Sequence, residues 1–247
     1  MHSRLFLPFV LMPLLILSCS KDQQDDLVAC ASPLLDGTSI CLDIAPSADL
    51  DPFRAQIEQL ACQAMTGIRQ LMPIDDLTIQ VRDAAGNAIP EIGLGGFNPD
   101  PGRVIIYLDP SFPDFSAALD AEFAFQLAHE VHHARRRRAI GYGNTLLQAT
   151  VSEGLADHFA MEVTGKPAPP WSLAVQGAEL EEVFQLAEAE WDNTSYNHAA
   201  WFVGASQEIP RWAGYSMGYE LVKRFKEANP GTLASGLFGT PAPEFAP

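Results

Sequence analysis

Five consecutive residues near the middle of the chain have the types and spacing of a metal-binding motif. They are His129-Glu130-Val131-His132-His133, the pattern HExxH. On a helix, His129 and His133 project from one face, so two imidazoles can bind one cation. Glu130 lies beside that face, where its carboxylate can act as general base toward a metal-activated water without binding the metal. Zinc suits this motif because catalytic zinc takes three protein ligands and leaves a fourth position open.

A third metal ligand is predicted at Glu153, twenty positions after His133. The gap contains a glycine-rich turn and a helix start at Asn144 or Thr145. Two antiparallel helices joined in this way would place Glu153 opposite the histidines, with the three donor atoms about 3–4 Å apart. Asp157 lies four residues beyond Glu153 on the same helix face. Its carboxylate could accept the distal N–H of a ligand histidine and fix its tautomer.

The HExxH motif with its later ExxxD resembles the gluzincin clan of metallopeptidases. The wider sequence is more similar still to the DUF2268 family of predicted zinc-dependent proteases, over roughly residues 74–226. The similar stretches are residues 128–135, 146–160, 170–171, 201–204 and 210–222. The resemblance implies a zincin-like fold with one zinc ion bound by His129, His133 and Glu153. It also implies hydrolysis of peptide bonds in a peptide or protein substrate, with Glu130 as general base.

Hydrolysis of this kind needs a donor for the oxyanion, which HExxH does not supply. Tyr215 and Tyr219 lie four positions apart on one helical face, and a phenol O–H could fill the role, although packing is the alternative for each. The resemblance favours at least one of them, and we take Tyr215 as the candidate catalytic residue. His198 is a third candidate, as a donor on the substrate side.

Other histidines and the basic run are expected to have structural roles. His132 and His158 point away from the ligand face and are expected to pack against neighbours. Residues 135–138 are four arginines at the C-terminal end of the motif helix, where cations favour the helix dipole. They are expected to compensate that dipole and pair with acids, or else to recognise a carboxylate on a substrate.

The order of the elements that must position these residues indicates an α+β fold. A zincin-like arrangement is predicted, in which a small N-terminal β-sheet packs on the active-site helix and a mostly helical part follows. Apolar residues recur every three or four positions over 52–72, which predicts a helix. Alternation over 76–82 and an apolar run over 104–108 predict two strands. Helical periodicity continues over residues 115–139, 144–164, 174–190 and 212–228.

A glycine-rich stretch at residues 93–96 is predicted to be a sheet edge or a hairpin turn. It is not predicted to bind phosphate, because no Lys-Ser/Thr pair follows it. In zincins, a substrate peptide commonly lies extended along the strand beside the metal helix. The resemblance therefore makes residues 92–97 and 104–108 the candidate surface for main-chain pairing with a peptide.

The N-terminus predicts export and a lipid anchor. Arg4 precedes an apolar run, residues 5–17, that is too short for a comfortable transmembrane helix and fits a signal peptide. The run closes on Ile-Leu-Ser-Cys19, which resembles the lipobox of bacterial lipoproteins. Ser20 favours the outer membrane of the cell envelope, facing the periplasm. The predicted organisation is a signal peptide at 1–18, a lipidated Cys19 and polar tether at 19–26, and a metallopeptidase domain at 27–247.

Composition excludes a nucleic-acid partner, because 31 acidic side chains against 15 basic ones give a formal net charge of −16. Cys30, Cys41 and Cys62 remain for disulfide pairing, and the sequence does not select among the pairs. The prediction is a zinc-dependent peptidase anchored to a membrane. The alternatives are a zinc-stabilised binding or chaperone-like lipoprotein without turnover, and a metallohydrolase acting on a non-peptide amide or ester.

Overall fold

The computed structural model describes residues 34–141 and 143–246. The predicted signal peptide, the candidate lipidation site Cys19, the tether and Cys30 lie outside the described residues. Within the described ranges, no helix is both long enough and apolar enough to cross a membrane. Both cysteines in these ranges, Cys41 and Cys62, are disulfide-bonded.

A four-stranded mixed sheet forms one layer of the protein. Its strands are β1 (Ile40–Ile44), β2 (Leu77–Asp83), β3 (Leu94–Asp100) and β4 (Arg103–Leu108). Their order across the sheet is β1-β2-β4-β3, in which β1, β2 and β4 are parallel and β3 is antiparallel to β4. Among the strands that the structure describes, β3 is therefore at the edge of the sheet, whereas β4 is paired on both sides.

Six α-helices account for most of the remaining described residues. They are α1 (Arg54–Leu71), α2 (Phe115–Ile140), α3 (Leu146–Thr164), α4 (Gly177–Glu188), α5 (His198–Phe202) and α6 (Ala213–Ala228). α1 and α2 pack together, and α2 also packs on β3 and β4. The later helices gather around α3 and α6. The predicted α+β class, with a small sheet on the motif helix and a helical C-terminal part, is confirmed.

The predicted elements agree with the structure to within three residues at their ends, and two further elements were outside the prediction. The sequence pattern does not indicate β1, which is short and pairs with β2, a strand far along the chain. It does not indicate α5 either, which has five residues. Residues 94–96 of the glycine-rich stretch lie in the edge strand β3, as the sheet-edge prediction requires.

Helix α3 lies between two apolar cores, which explains why most of its length is buried. Phe159 belongs to the core beneath the sheet, whereas Val151 and Leu155 belong to the core shared with α4 and α6. The helix begins at the predicted cap: the Thr145 hydroxyl accepts from the Gln148 N–H, and the Gln148 side chain accepts from the Thr145 N–H. This reciprocal capping fixes where the helix starts relative to α2.

Two glycines allow α3 and α6 to approach closely. A Cβ atom on Gly154 would overlap the backbone of Gly218, and one on Gly218 would overlap the carbonyl of Thr150. Any larger side chain at either position would push the two helices apart. The close crossing therefore fixes the turn of α3 that carries Glu153, the residue before Gly154.

The four arginines at the end of α2 fasten that helix to neighbouring backbone. Arg136 is 3% exposed, and the Arg135 guanidinium lies 3.8 Å from the centre of the Phe238 ring. The three arginines that follow Arg135 donate to main-chain carbonyls. The acceptors are the carbonyls of Asp75, Asp76, Asn98, Pro99, Pro101, Phe238 and Thr240. These main-chain contacts were not among the expectations for the run, and its position at the C-terminal end of α2 is the one that compensation of the helix dipole requires.

Candidate metal centre

Helices α2 and α3 form an antiparallel pair that brings the predicted ligands together. His129 contacts Asp157, whereas His133, one turn later on α2, contacts Ser152, earlier on α3. Glu153 faces both histidines. All five side chains are buried. The gap of twenty residues therefore returns the chain to the motif, as the sequence predicts.

Three donor atoms converge on one point between the helices. His129 Nε2 lies 3.0 Å from both His133 Nε2 and Glu153 Oε2, and His133 Nε2 lies 3.3 Å from Glu153 Oε2. Tetrahedral zinc with bonds of about 2.0 Å would separate its ligand atoms by about 3.3 Å. The cluster of His129, His133 and Glu153 could therefore hold a metal ion, and its donor types and spacing fit zinc.

The distal nitrogens of both histidines have hydrogen-bond partners that direct the proximal ones inward. His129 Nδ1 lies 2.9 Å from Asp157 Oδ1, and because a carboxylate only accepts, Nδ1 is the donor. His133 Nδ1 lies 3.0 Å from Ser152 Oγ, which can accept in the same way. When the rings are neutral, each Nε2 would therefore present its lone pair to the common centre, as metal binding requires.

The charges of the cluster favour a cation at its centre. Burial opposes the charged form of His129, but hydrogen bonds to Asp157 and Glu153 outweigh burial and raise the His129 pKa well above its usual range. Burial also opposes the charged form of Glu153, but His133 and His129 outweigh it and lower the Glu153 pKa well below its usual range. Burial thus makes the Glu153 carboxylate depend on positive charge beside it, which the histidines supply here and a metal ion could supply in their place.

Glu130 lies next to the cluster without belonging to the convergent donors, which are His129, His133 and Glu153. It is 5% exposed, and a Cβ atom on Gly96 of β3 would overlap its carboxyl group. Burial raises the pKa of Glu130, while the neighbouring histidines partly oppose the rise. A carboxyl group with a raised pKa beside a metal site suits proton transfer.

Four ring side chains contact one another in series, and we call Tyr196, His198, Phe202 and Tyr215 the aromatic rim. The Tyr196 hydroxyl lies 3.1 Å from His198 Nδ1, the His198 ring stacks on Phe202 at 4.5 Å, and Phe202 meets Tyr215 edge-on at 5.3 Å. Burial raises the pKa of Tyr196 and the charge of Glu153 adds to that rise. Burial lowers the pKa of His198, and Glu153 opposes it. Tyr196 and His198 are therefore close enough to Glu153 to sense its charge.

His132 and His158 pack in the interior, as the sequence predicts. His132 is fully buried, with its ring 5.4 Å from that of Phe159. His158 Nε2 donates to the Tyr219 carbonyl at 3.0 Å, and the two rings stack at 4.6 Å. Burial lowers the pKa of His158 to about 4, which favours its neutral form. Tyr219 thus has a packing role between α3 and α6.

Sequence reasoning did not assign a role to three polar residues around the ligands. Ser152 is one, although its place just before Glu153 on α3 could have indicated it. The others are Trp171 and Ser172 in the 3₁₀ segment Pro170–Leu173. The Trp171 indole donates to both Asp157 oxygens at 3.1 and 3.0 Å, and the Ser172 hydroxyl donates to Asp157 Oδ2 at 2.5 Å.

An α+β fold with a buried His-His-Glu cluster on an antiparallel helix pair defines a protein with a candidate single-metal centre. The chain belongs to the DUF2268 family, described as a predicted Zn-dependent protease, whose family model matches residues 57–246. The resemblance that the sequence indicates is therefore confirmed, and the family and the cluster both point to zinc. No curated protein matches the chain.

Proposed function

We propose that the protein is a zinc-dependent peptidase with a zincin-like fold. The proposal rests on the donor atoms of His129, His133 and Glu153, which converge to 3.0–3.3 Å from one another. Glu130 lies beside them and is not one of these donors. Three protein ligands leave a position open, as in catalytic rather than structural zinc sites. A purely structural site would need no base, so the presence of Glu130 favours catalysis. The family description supports the same activity.

The proposed reaction is hydrolysis of a peptide bond by water. Zinc bound to the three ligands would supply Lewis-acid polarisation of the scissile carbonyl and increase the acidity of water. Glu130 accepts a proton from the attacking water and then delivers it to the nitrogen of the leaving amine, so it ends the cycle as it began. Its burial supports this role, because a raised pKa makes the carboxylate a better proton acceptor.

The oxyanion donor in this proposal comes from the aromatic rim. Tyr215 is the first candidate, through its phenol O–H. Tyr196 and His198 are the alternatives, supported by their electrostatic contact with Glu153. Tyr219 is a poorer candidate because its ring stacks on His158.

A substrate peptide would pair with β3. This strand is at the end of the sheet, and its Gly96 lies against Glu130. The predicted surface for a peptide included residues 92–97 and 104–108. The second range is corrected, because β4 uses both of its edges within the sheet. Main-chain pairing along β3 would bring a peptide past Glu130, in keeping with strand addition in other complexes.

Removal of the metal tests the proposal directly. We expect the wild-type protein to contain one zinc ion, to cleave members of a peptide library, and to lose cleavage when a chelator removes the zinc. Adding zinc back, but not magnesium, should restore the activity, since magnesium disfavours imidazole ligands. Cleavage by metal-free protein would contradict the proposal.

Two other results of that experiment would favour the alternatives. Bound zinc without cleavage of any peptide would favour a zinc-stabilised binding or chaperone-like protein. Cleavage of small amide or ester substrates, but of no peptide, would favour a metallohydrolase of the other class. Each result is read on the same zinc-loaded sample, so a poorly loaded protein is not mistaken for an inactive one.

We also propose that the protein is lipid-anchored in a bacterial envelope through Cys19. The lipobox-like sequence supports this, and the bonded state of Cys41 and Cys62 is compatible with an oxidising compartment. Cells fed a labelled fatty acid should label the wild-type protein and not Cys19→Ala, which should leave the membrane fraction. A Cys41→Ala variant should remain labelled. A Cys19→Ala protein that stays labelled and membrane-bound would contradict the anchor.

A further inference from the structure

We propose that Trp171 and Ser172 are positioning residues of the metal centre, which act through Asp157 on His129. The inference rests on the proposed zinc site and goes beyond it, because neither residue touches a metal ligand directly in the contacts described. Both belong to the 3₁₀ segment Pro170–Leu173, outside the two helices that carry the ligands. They are 4% and 2% exposed.

The hydrogen bonds of Asp157 leave its carboxylate with one orientation. Oδ1 accepts from His129 Nδ1 at 2.9 Å and from the Trp171 indole at 3.1 Å. Oδ2 accepts from the same indole at 3.0 Å and from the Ser172 hydroxyl at 2.5 Å. Because the indole N–H bridges both oxygens, the carboxylate cannot turn without losing it. The plane of the carboxylate in turn fixes the direction of the His129 ring.

The environment of Asp157 makes these two donors necessary. Its side chain is fully buried, and among the described residues its one ion-pair partner is His129. A buried carboxylate with unsatisfied oxygens is costly and turns toward any available donor. With Trp171 and Ser172 in place, the remaining lone pair on Oδ1 is directed at His129 Nδ1. That contact selects the tautomer in which Nε2 faces the metal.

The 3₁₀ segment is itself held by the two helices that border the site. The Ser216 hydroxyl of α6 donates to the Trp171 carbonyl at 3.0 Å and accepts from the Val175 N–H at 3.1 Å. The Trp171 ring packs edge-on against Phe125 of α2, with ring centres 6.0 Å apart. The segment is therefore anchored independently of Asp157. Trp171 and Ser172 need such an anchor if they are to orient Asp157.

Zinc affinity measures this role without any need for catalysis. We expect Trp171→Phe and Ser172→Ala each to raise the zinc dissociation constant about 10-fold in a competition titration with a chromophoric chelator. The visible spectrum of the cobalt-substituted protein should change as well, because the geometry of one imidazole changes. Matched controls are Trp201→Phe and Ser235→Ala, which alter a buried indole and a buried hydroxyl outside this network.

A double-mutant cycle separates positioning from a general packing effect. If Trp171 acts through Asp157, Trp171→Phe should change affinity less than about 2-fold in an Asp157→Ala background. An equal 10-fold loss in both backgrounds, or unchanged affinity in the folded single variants, would overturn the inference. Ser172→Ala carries the test if Trp171→Phe does not fold. Wild-type protein that binds no zinc would instead overturn the proposed function. That result differs from one in which wild type and single variants bind zinc with the same affinity, which overturns only the positioning role.

Discussion

The Glu130→Gln protein should bind zinc as the wild type does and hydrolyse peptides about 10²–10⁴-fold more slowly. Glutamine has nearly the same shape as glutamate, so it fits the same space against Gly96. Its amide, however, cannot accept a proton from the attacking water. Zinc binding should be unaffected because the convergent donors are His129, His133 and Glu153, and Glu130 is not among them. The measurements are zinc per folded chain and kcat/KM on one cleaved peptide.

Glu162→Gln is the matched control for this change. Glu162 lies near the end of α3, where its carboxylate accepts from the Ser235 backbone N–H and hydroxyl, away from the ligands. That variant should keep both zinc and activity. Wild-type kcat/KM in Glu130→Gln would remove the general base from the mechanism. Loss of zinc in Glu130→Gln would mean that Glu130 binds the metal.

The ligands were predictable because their arrangement depends on local geometry. Spacing of four on a helix places His129 and His133 on one face whatever surrounds them. A short turn with a good N-cap then forces the next helix to return alongside, which places Glu153 within reach. Asp157 follows from the same periodicity. Each step uses contacts between residues close in sequence or along one helix pair.

The strands were less predictable because pairing partners decide them. β3 reads Leu-Gly-Gly-Phe-Asn-Pro-Asp, a composition with low strand propensity, and it is a strand because β4 and α2 pack against it. Gly96 of this strand is explained by the position of Glu130, thirty-four residues later. β1 likewise depends on a parallel partner far along the chain. Hydrophobic periodicity contains no information about such partners.

The polar contacts around the site were the least predictable part. Trp171 and Ser172 reach Asp157 from a separate segment, and no spacing rule relates the two positions. The arginine run shows the same limit, because its charge and position indicate the helix dipole or a carboxylate and say nothing of main-chain acceptors. Three of its guanidinium groups donate to carbonyls of the β3–β4 hairpin and of Thr240 near the C-terminus. Side-chain chemistry indicates what a residue can bind, and the tertiary structure determines which partner is there.

Replacing His133 by Ala should leave the site mostly empty at a zinc concentration about 10 times the wild-type dissociation constant. If the three ligands share a zinc-binding free energy of about 10–16 kcal/mol, the loss of one weakens binding by about 10²–10⁴-fold. The wild type at zinc concentrations about 1,000 times its dissociation constant should gain about 4 kcal/mol of stability, which corresponds to about 8–16 °C in Tm for a domain of this size. His133→Ala should show at most about a third of this shift at the same zinc concentration. Its peptide hydrolysis should be lost at zinc concentrations that leave its site empty.

His158→Ala separates the loss of a ligand from the loss of a buried imidazole. His158 is also buried and also bonded through its ring, but to the Tyr219 carbonyl rather than to the cluster. Its removal should lower the Tm of the metal-free protein through lost packing while preserving the zinc-induced increase in Tm. His133→Ala should show the reverse pattern, with a smaller loss of Tm in the metal-free protein and a reduced zinc-induced increase. The loss of Tm is limited because the substitution also removes one of two ring nitrogens that lie only 3.0 Å apart in the metal-free site. Equal zinc-induced shifts in the two variants would show that His133 is not a metal ligand.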